Sequence, residues 1–382
     1  MLNNTQSLKE IFTSAFASYK NKDFKSAELS CYKILNIDPN HFDSLSLLAT
    51  ISAVQNNFEK ARDLMHKAVS VQPKNAAALN NLGTTYKRLN KLKEARSFFE
   101  KALKINPNHT NANYNLGILF YALSDLKNAK KYLNKTVEVQ NNYAIAYHSL
   151  AEVNLALKEV REALRCYQKA IEINPNLVAT HNNLGLLFRD LNDFPNAIKC
   201  FENALKLVPK YVNSLHNLAE IYKEIGEFDK SINLYTLAVK YEPENLMNVF
   251  FLSEMKKETL TQGVKEKTKN ILSNKEVSLN NLAYGNYLLA KYERKTKNYE
   301  KEIDYLIKGH SNFYIRNKKV FDINLKYCFE DVHQIIQNGK IDKIPSKNKN
   351  KIHPIFIFGV PRSGSTLVER IIVSGERTIS LG

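Results

Sequence analysis

Small and large apolar residues alternate with polar ones along the first two thirds of the chain at a fixed period of 34. Prolines mark the period. Pro39, Pro73, Pro107, Pro175, Pro209 and Pro243 are 34 residues apart, or 68 across one slot filled by Asn141. With the proline slot taken as position 32, seven units run in phase over residues 8–245. Position 8 is Ala15, Ala49, Gly83, Gly117, Ala151, Gly185 and Ala219. Position 20 is alanine in every unit but the last, where it is Ser231, and position 27 is alanine apart from Ile34 and Thr136. Large residues such as Leu82, Leu116 and Leu184 at position 7, and Phe99, Tyr167 and Phe201 at position 24, surround them. Apolar spacing of three and four predicts two helices per unit. Antiparallel helices approach closely only where small residues meet, and large neighbours fill the gaps around them. The proline ends the second helix and restricts the residue before it. One such unit cannot bury its own apolar face, so the units stack into a solenoid with an extended surface.

These anchors resemble those of the tetratricopeptide repeat (TPR) family over about 240 residues. On the first helix of each unit, positions 4, 7, 8 and 11 form the packing stripe, and position 6 lies roughly opposite at 100° per residue. That position is Asn81, Asn115, Asn183 and Asn217, interrupted by Ser149. A primary amide both donates and accepts, so a ladder of them suits an extended peptide backbone of any sequence. The series resembles the asparagine ladder of TPR-containing O-linked glycosyltransferases, which implies a protein or peptide in the groove. A solvated asparagine-rich face gives the same pattern.

After Asn245 the phase breaks. Residues 246–337 are expected to hold spacer helices and a degenerate pair. A helix is expected from Met247 to Leu260, then a polar spacer TQGVKEKTKN. The degenerate pair at about 283–316 has Ala290 at position 8, Gly309 at position 27 and Glu302 in place of the usual alanine. One further helix is expected over 317–337, and residues 338–353 read as a lysine-rich linker.

Composition sharpens this picture at the C-terminal end. The chain has 382 residues, with 55 Lys and Arg against 38 Asp and Glu. Residues 251–382 carry a net charge of +10 against +7 for the longer part before them. Such a balance suits an anionic ligand, although a general richness in lysine (44 Lys, 11 Arg) accounts for it as well. No apolar run reaches the length of a membrane span, and the first residues lack an apolar signal core, so a cytoplasmic location is expected. Cys31, Cys166, Cys200 and Cys328 form no CxxC and lie near no histidine at zinc spacing. Core thiols are expected for them, and solenoid surface for His148, His181 and His216.

Residues 354–382 carry the candidate chemistry. PIFIFGV (354–360) reads as a strand buried on both faces, GVPRSGST as a glycine-rich loop, and LVERIIVSG as a helix. Strand, loop and helix in this order bind phosphate, because free backbone N–H groups at a helix start point at the anion. The spacing is that of a Walker A loop, but Ser365 stands where the lysine belongs and the cation is Arg362. The string PIFIFGVPRSGSTLVERII resembles the phosphosulfate-binding loop of sulfotransferases, most closely the TPR-containing group related to the protein-tyrosine sulfotransferases. That resemblance implies a fold that is mainly α, a TPR solenoid followed by the first strand, P-loop and helix of an α/β sulfotransferase domain.

It also implies 3′-phosphoadenosine-5′-phosphosulfate as sulfuryl donor, a hydroxyl acceptor such as protein tyrosine, and no metal or nucleic acid. Gly359, Arg362, Ser363, Gly364, Ser365 and Thr366 would bind the donor. Arg362 would stabilise charge on the leaving phosphate. The catalytic base and the 3′-phosphate ligands of the family have no counterpart in these residues. The resemblance therefore implies that residues 1–382 are the N-terminal part of a longer enzyme and inactive alone. A non-catalytic TPR scaffold for protein–protein interaction is the alternative.

Overall fold

The computed structural model describes residues 2–326, and all its regular structure there is helical. The strand, loop and helix expected over 354–382 lie outside the described residues, as do Cys328 and the linker 338–353. Contacts divide the chain into two compact units, 1–313 and 314–382.

The first unit is built of antiparallel helix pairs in sequence order. They are α1 (Leu2–Lys20) with α2 (Phe24–Ile37), α3 (Phe42–Val54) with α4 (Phe58–Val71), and α5 (Ala76–Arg88) with α6 (Leu92–Ile105). Next come α7 (Thr110–Ala122) with α8 (Leu126–Val139), and α9 (Ala144–Ala156) with α10 (Val160–Ile173). The series continues with α11 (Val178–Asp190) and α12 (Phe194–Leu207), then α13 (Val212–Glu224) and α14 (Phe228–Tyr241).

Local chemistry fixes the ends of these helices. Side chains of Asp23, Asn57, Asn75, Asp125 and Asp193 accept the backbone N–H three residues on, which satisfies a donor the first turn leaves open. His41 and His109 do the same through Nδ1. Each second helix ends two residues before the proline slot. Where that slot holds Asn141, α8 still stops at Val139, so proline is not what terminates it. Between the helices of a pair the chain turns through a left-handed residue: Lys22, Asn56, Asn90, Ser124, Lys158 and Asn192 have φ of 58–65°, and the seventh unit uses Gly226 at φ 83°. Only glycine takes this region without steric cost.

The small positions do what the period requires. Ala27, Ala61, Ala95, Ala129, Ala163 and Ala197 are fully buried, and Ser231 joins them by donating to the Ala219 carbonyl at 2.8 Å. A methyl group added at Gly83 would stand 2.7 Å from ring carbons of Phe99, and one at Gly185 2.7 Å from Phe201. The core is a chain of clusters, each shared between neighbouring units; one joins Phe99 to Leu116 and Leu133 of the next unit and to Leu150 and Val153 of the unit after that. The buried Cys31 and Cys200, and the half-buried Cys166, are free thiols. Burial pushes each up to about 11, which makes them unreactive at neutral pH.

Beyond α14 the structure departs from the expected elements. The helix from Met247 is shorter than expected: α15 is Leu246–Met255, followed by a 3₁₀ turn at Lys257–Thr259. The stretch expected as a polar spacer is instead α16 (Gln262–Leu272). Its Val264, Ile271 and Leu272 fall at helical spacing and pack with Leu246 and Val249. Next, α17 (Leu279–Lys295) lies against both α15 and α16. At Gly285 an added methyl would meet Leu246 and Leu272 at 2.8 Å. The pair completed by α18 (Tyr299–Lys326) keeps Ala290 buried and Gly309 close on Tyr287 and the Ala283 carbonyl. Glu302, in the alanine slot, is buried and accepts from Arg294 Nε at 2.6 Å. There is no separate helix starting at 317; α18 runs through that point, with neither proline nor glycine between Gly309 and Lys326, and residues 327–337 lie outside the described residues. In the second unit the described residues, 314–326, are helical, with Lys318 Nζ donating to Asp322 at 2.6 Å.

Candidate peptide-binding face

First helices of neighbouring units touch one another directly, as α5 does α7 and α11 does α13. Second helices do not meet to this extent, so the first helices line the more crowded, inner side of the stack.

The asparagines at position 6 do not share one environment. Asn81 is exposed, Asn115 and Asn183 are half-buried, and Asn217 is buried. Asn115 Nδ2 donates to Asn80 Oδ1 at 2.9 Å and Asn217 Nδ2 to Asn182 Oδ1 at 3.0 Å. Each of these joins position 6 of one unit to position 5 of the unit before. Asn183 donates to Glu152 of the preceding unit at 3.4 Å. The amides thus form a ladder between helices, and a wheel drawn for one helix hides this. The first helix of the preceding unit covers the shoulder where position 6 sits.

Position 5 is what the sequence reading missed. It is Asn80, Tyr114, His148, Asn182 and His216 in consecutive units, polar or amphipathic each time. That recurrence beside a packing stripe is the signal that was available. Asn182 is buried, accepts from Ser214 Oγ and Asn217 Nδ2 at 3.0 Å each, and donates to Asn183 at 3.2 Å. His148 and His216 pair through Nδ1 with Thr180 Oγ1 at 2.9 Å and Asn248 Oδ1 at 2.8 Å. His181 is buried, with Nε2 2.9 Å from the Pro175 carbonyl. All three histidines thus tie the fold together, two of them between units, instead of decorating the surface.

One constellation occurs twice, two units apart. His148, Glu152 and Tyr167 are matched by His216, Glu220 and Tyr235. The His148 ring lies 5.5 Å from that of Tyr167, and the His216 ring 5.7 Å from that of Tyr235. Tyr235 donates its hydroxyl to Glu220, which Lys223 also approaches at 3.3 Å. Burial is the main cause that raises both tyrosines above their ordinary range, with the adjacent glutamate next.

His216 is held below its ordinary value chiefly by burial, with Arg189 and Lys223 acting the same way and Asn248 and Glu220 opposing. Tyr235 and Phe251 enclose its ring. The unfolded chain then binds a proton more readily than the folded one. This histidine costs no stability above about pH 6.5, and its penalty grows as pH falls below that value. His216→Gln is expected to remove part of the loss in urea midpoint between pH 7.5 and 5.5. An identical loss in both proteins would contradict the assignment.

What remains open to solvent on the first helices is the face carrying positions 2, 9, 12 and 13. Thr84, Lys87 and Arg88 line it on α5, with the exposed Asn81 of position 6 beside them, and Ile118 and Tyr121 line it on α7. Among the described residues no three His, Cys, Asp or Glu side chains are placed to share an ion, and no helix is long and apolar enough to cross a membrane.

The profile of the tetratricopeptide repeat matches residues 76–109, 108–176 and 176–241. Residues 76–241 are tetratricopeptide repeats. The TPR period read from the prolines continues in the same helical pairs on the N-terminal side of that stretch. Solved TPR-like folds align with the chain. PilF of Pseudomonas aeruginosa shares 19% identity at a TM-score of 0.52, over 57% of this chain and 99% of that one. PilW, a widely conserved type IV pilus biogenesis factor, shares 21% at 0.51, over 56% and 98%. At these identities the likeness is one of fold. No curated protein matches the chain. Arg362, Gly359, Ser363, Gly364, Ser365 and Thr366 lie outside the described residues.

Proposed function

We propose that the TPR stack is a protein–protein interaction scaffold whose inner face holds an extended peptide segment of a partner. The observation that carries this reading is the open stripe on the first helices. From α5 to α13 it is open on every first helix, mainly polar on α5 and α13 and mixed with apolar side chains such as Ile118, Ile145 and Leu186 between them, on elements that packing and the inter-helix ladder hold in place. A peptide laid across it would exchange backbone hydrogen bonds with amides such as Asn81 and Asn183, and Tyr121 and Ile118 offer it apolar contact. Asn115 and Asn217 would act through the ladder, setting the position of their neighbours.

The test is binding of a fluorescent peptide chosen from a random display library against the whole chain. Asn81→Ala with Asn183→Ala is expected to weaken binding roughly tenfold, about 1.4 kcal/mol for two modest hydrogen bonds, while Tm stays within a few degrees. Unchanged affinity would remove these amides from the binding face.

A second reading rests on the string GVPRSGST at 359–366. There the chain would take part in sulfuryl transfer from 3′-phosphoadenosine-5′-phosphosulfate, the TPR units recruiting the protein acceptor. The donor's bond between sulfur and the bridging oxygen would break, 3′,5′-adenosine bisphosphate would leave with that oxygen and the electron pair, the acceptor oxygen would bond to sulfur, and the acceptor's proton would pass to a base that residues 359–366 do not supply. In a protein showing this activity, Arg362→Ala is expected to lower turnover at least a hundredfold. An unchanged rate would exclude Arg362.

A further inference from the structure

The open faces of the first helices are sorted by charge. From α1 to α7 they present Lys9, Lys20, Lys87 and Arg88 against a single carboxylate, Asp43. From α9 to α13 they present Glu152, Asp190, Glu220 and Glu224 against Arg189 and Lys223. The surface changes sign across α7, whose corresponding residues are uncharged: Asn111, Tyr114, Asn115, Ile118, Tyr121 and Ala122.

The cations at the first end are uncompensated. Lys87 is half-buried, Arg88 is exposed, and neither has a carboxylate within ion-pair distance among the described residues. Burial and the adjacent guanidinium hold the Lys87 ammonium below its ordinary range, which is the expected mark of a cation without a partner. On the same face of α5 stand Asn81 and Thr84, about one helical turn apart, and Asn115 Nδ2 reaches Thr84 Oγ1 as well as Oδ1 of the buried Asn80. This part of the face therefore offers the exposed Asn81 amide and two cations with no carboxylate paired to them among the described residues.

The opposite end differs in kind. Glu152 accepts from Asn183 at 3.4 Å and stands 3.6 Å from His148 Nε2. Among the described residues Glu224 has no ion pair, whereas Lys223 is taken by Glu220 at 3.3 Å and Arg189 by Asp190 at 3.5 Å. Further on, Glu254 is paired with Lys291 at 3.1 Å, which leaves Glu152 on α9 and Glu224 on α13 as the carboxylates of this face without a Lys or Arg partner among the described residues.

We infer that the inner face takes one extended peptide of opposite-charged ends, its acidic residues over α5 and its basic residues over α9 to α13, with an uncharged middle against α7. This rests on the peptide-binding reading above and names the class of partner segment. Charge complementarity of this kind fixes register and direction and rejects a segment laid the wrong way round. Four steps of roughly 10 Å between successive first helices, at about 3.4 Å per extended residue, call for about 12 residues.

The test uses three labelled peptides of the same composition and that length with the whole chain. In one a Glu-rich half precedes a Lys-rich half; in the second the charges alternate. A third peptide reverses the order of the two halves, so that either backbone direction is sampled. One segregated peptide is expected to bind at least about tenfold more tightly than the alternating one at low salt, with the gap closing at high salt as screening sets in. Lys87→Glu with Arg88→Glu, the first half-buried and the second exposed, is expected to abolish the preference while circular dichroism is unchanged. Equal affinities for all three peptides would overturn the charge inference. If no charged peptide binds while the display-selected peptide does, this inference alone falls. If no peptide of either kind binds, the groove reading falls with it.

Discussion

Phe99→Ala is expected to destabilise the chain by about 3–5 kcal/mol, the range for removing a large aromatic from a core that cannot collapse. Phe99 is fully buried, and its ring fills the space left open by the absent side chain of Gly83. It also packs in the cluster shared with Leu116 and Leu150 of the next two units. The stack is held by contacts between neighbours, so the loss removes both a unit and an interface. Phe99→Leu is expected to cost far less. The adjacent unit already uses that solution, with Leu133 lying over Gly117 in the same geometry. Urea denaturation of both variants checks this, and equal losses would show that shape at this position is not what matters.

Asn182→Ala is expected to cost about 2–4 kcal/mol, several times the effect of Asn183→Ala one residue on. The buried Oδ1 of Asn182 satisfies two donors at once, Ser214 Oγ and Asn217 Nδ2, and both belong to buried residues of α13. Without it each is left in the interior without an acceptor, at about 1–2 kcal/mol apiece. Asn183 is half-buried and makes one long bond to Glu152. Thermal unfolding separates the two, and a smaller loss for Asn182→Ala than for Asn183→Ala would contradict the ladder.

This contrast shows what was legible in the sequence and what was not. The proline slots and the small residues at positions 8, 20 and 27 report on packing within a pair, which repeats without variation, so the helical pairs could be read directly. Asn182 was invisible for the opposite reason. Its role depends on α13, which a one-helix projection leaves out, and the same projection made the buried Asn217 look open. Past Asn245 the repeat no longer supplies a phase. There the stretch TQGVKEKTKN looked like a spacer because charge dominates it, although Val264, Ile271 and Leu272 are enough to seat α16. His181 reads as a surface residue from its type, but its bond to the Pro175 carbonyl reaches back to the turn that precedes its own helix, which its type does not reveal.

The central claim is that the first-helix face is where a partner segment lies. Photo-cross-linking of a random-sequence peptide pool to the whole chain, followed by mass-spectrometric mapping, tests it most directly. The account predicts adducts at open first-helix positions such as Asn81, Thr84, Ile118 and Tyr121. Adducts concentrated on the second helices, at exposed residues such as Leu29, Tyr32 or Leu237, would contradict it.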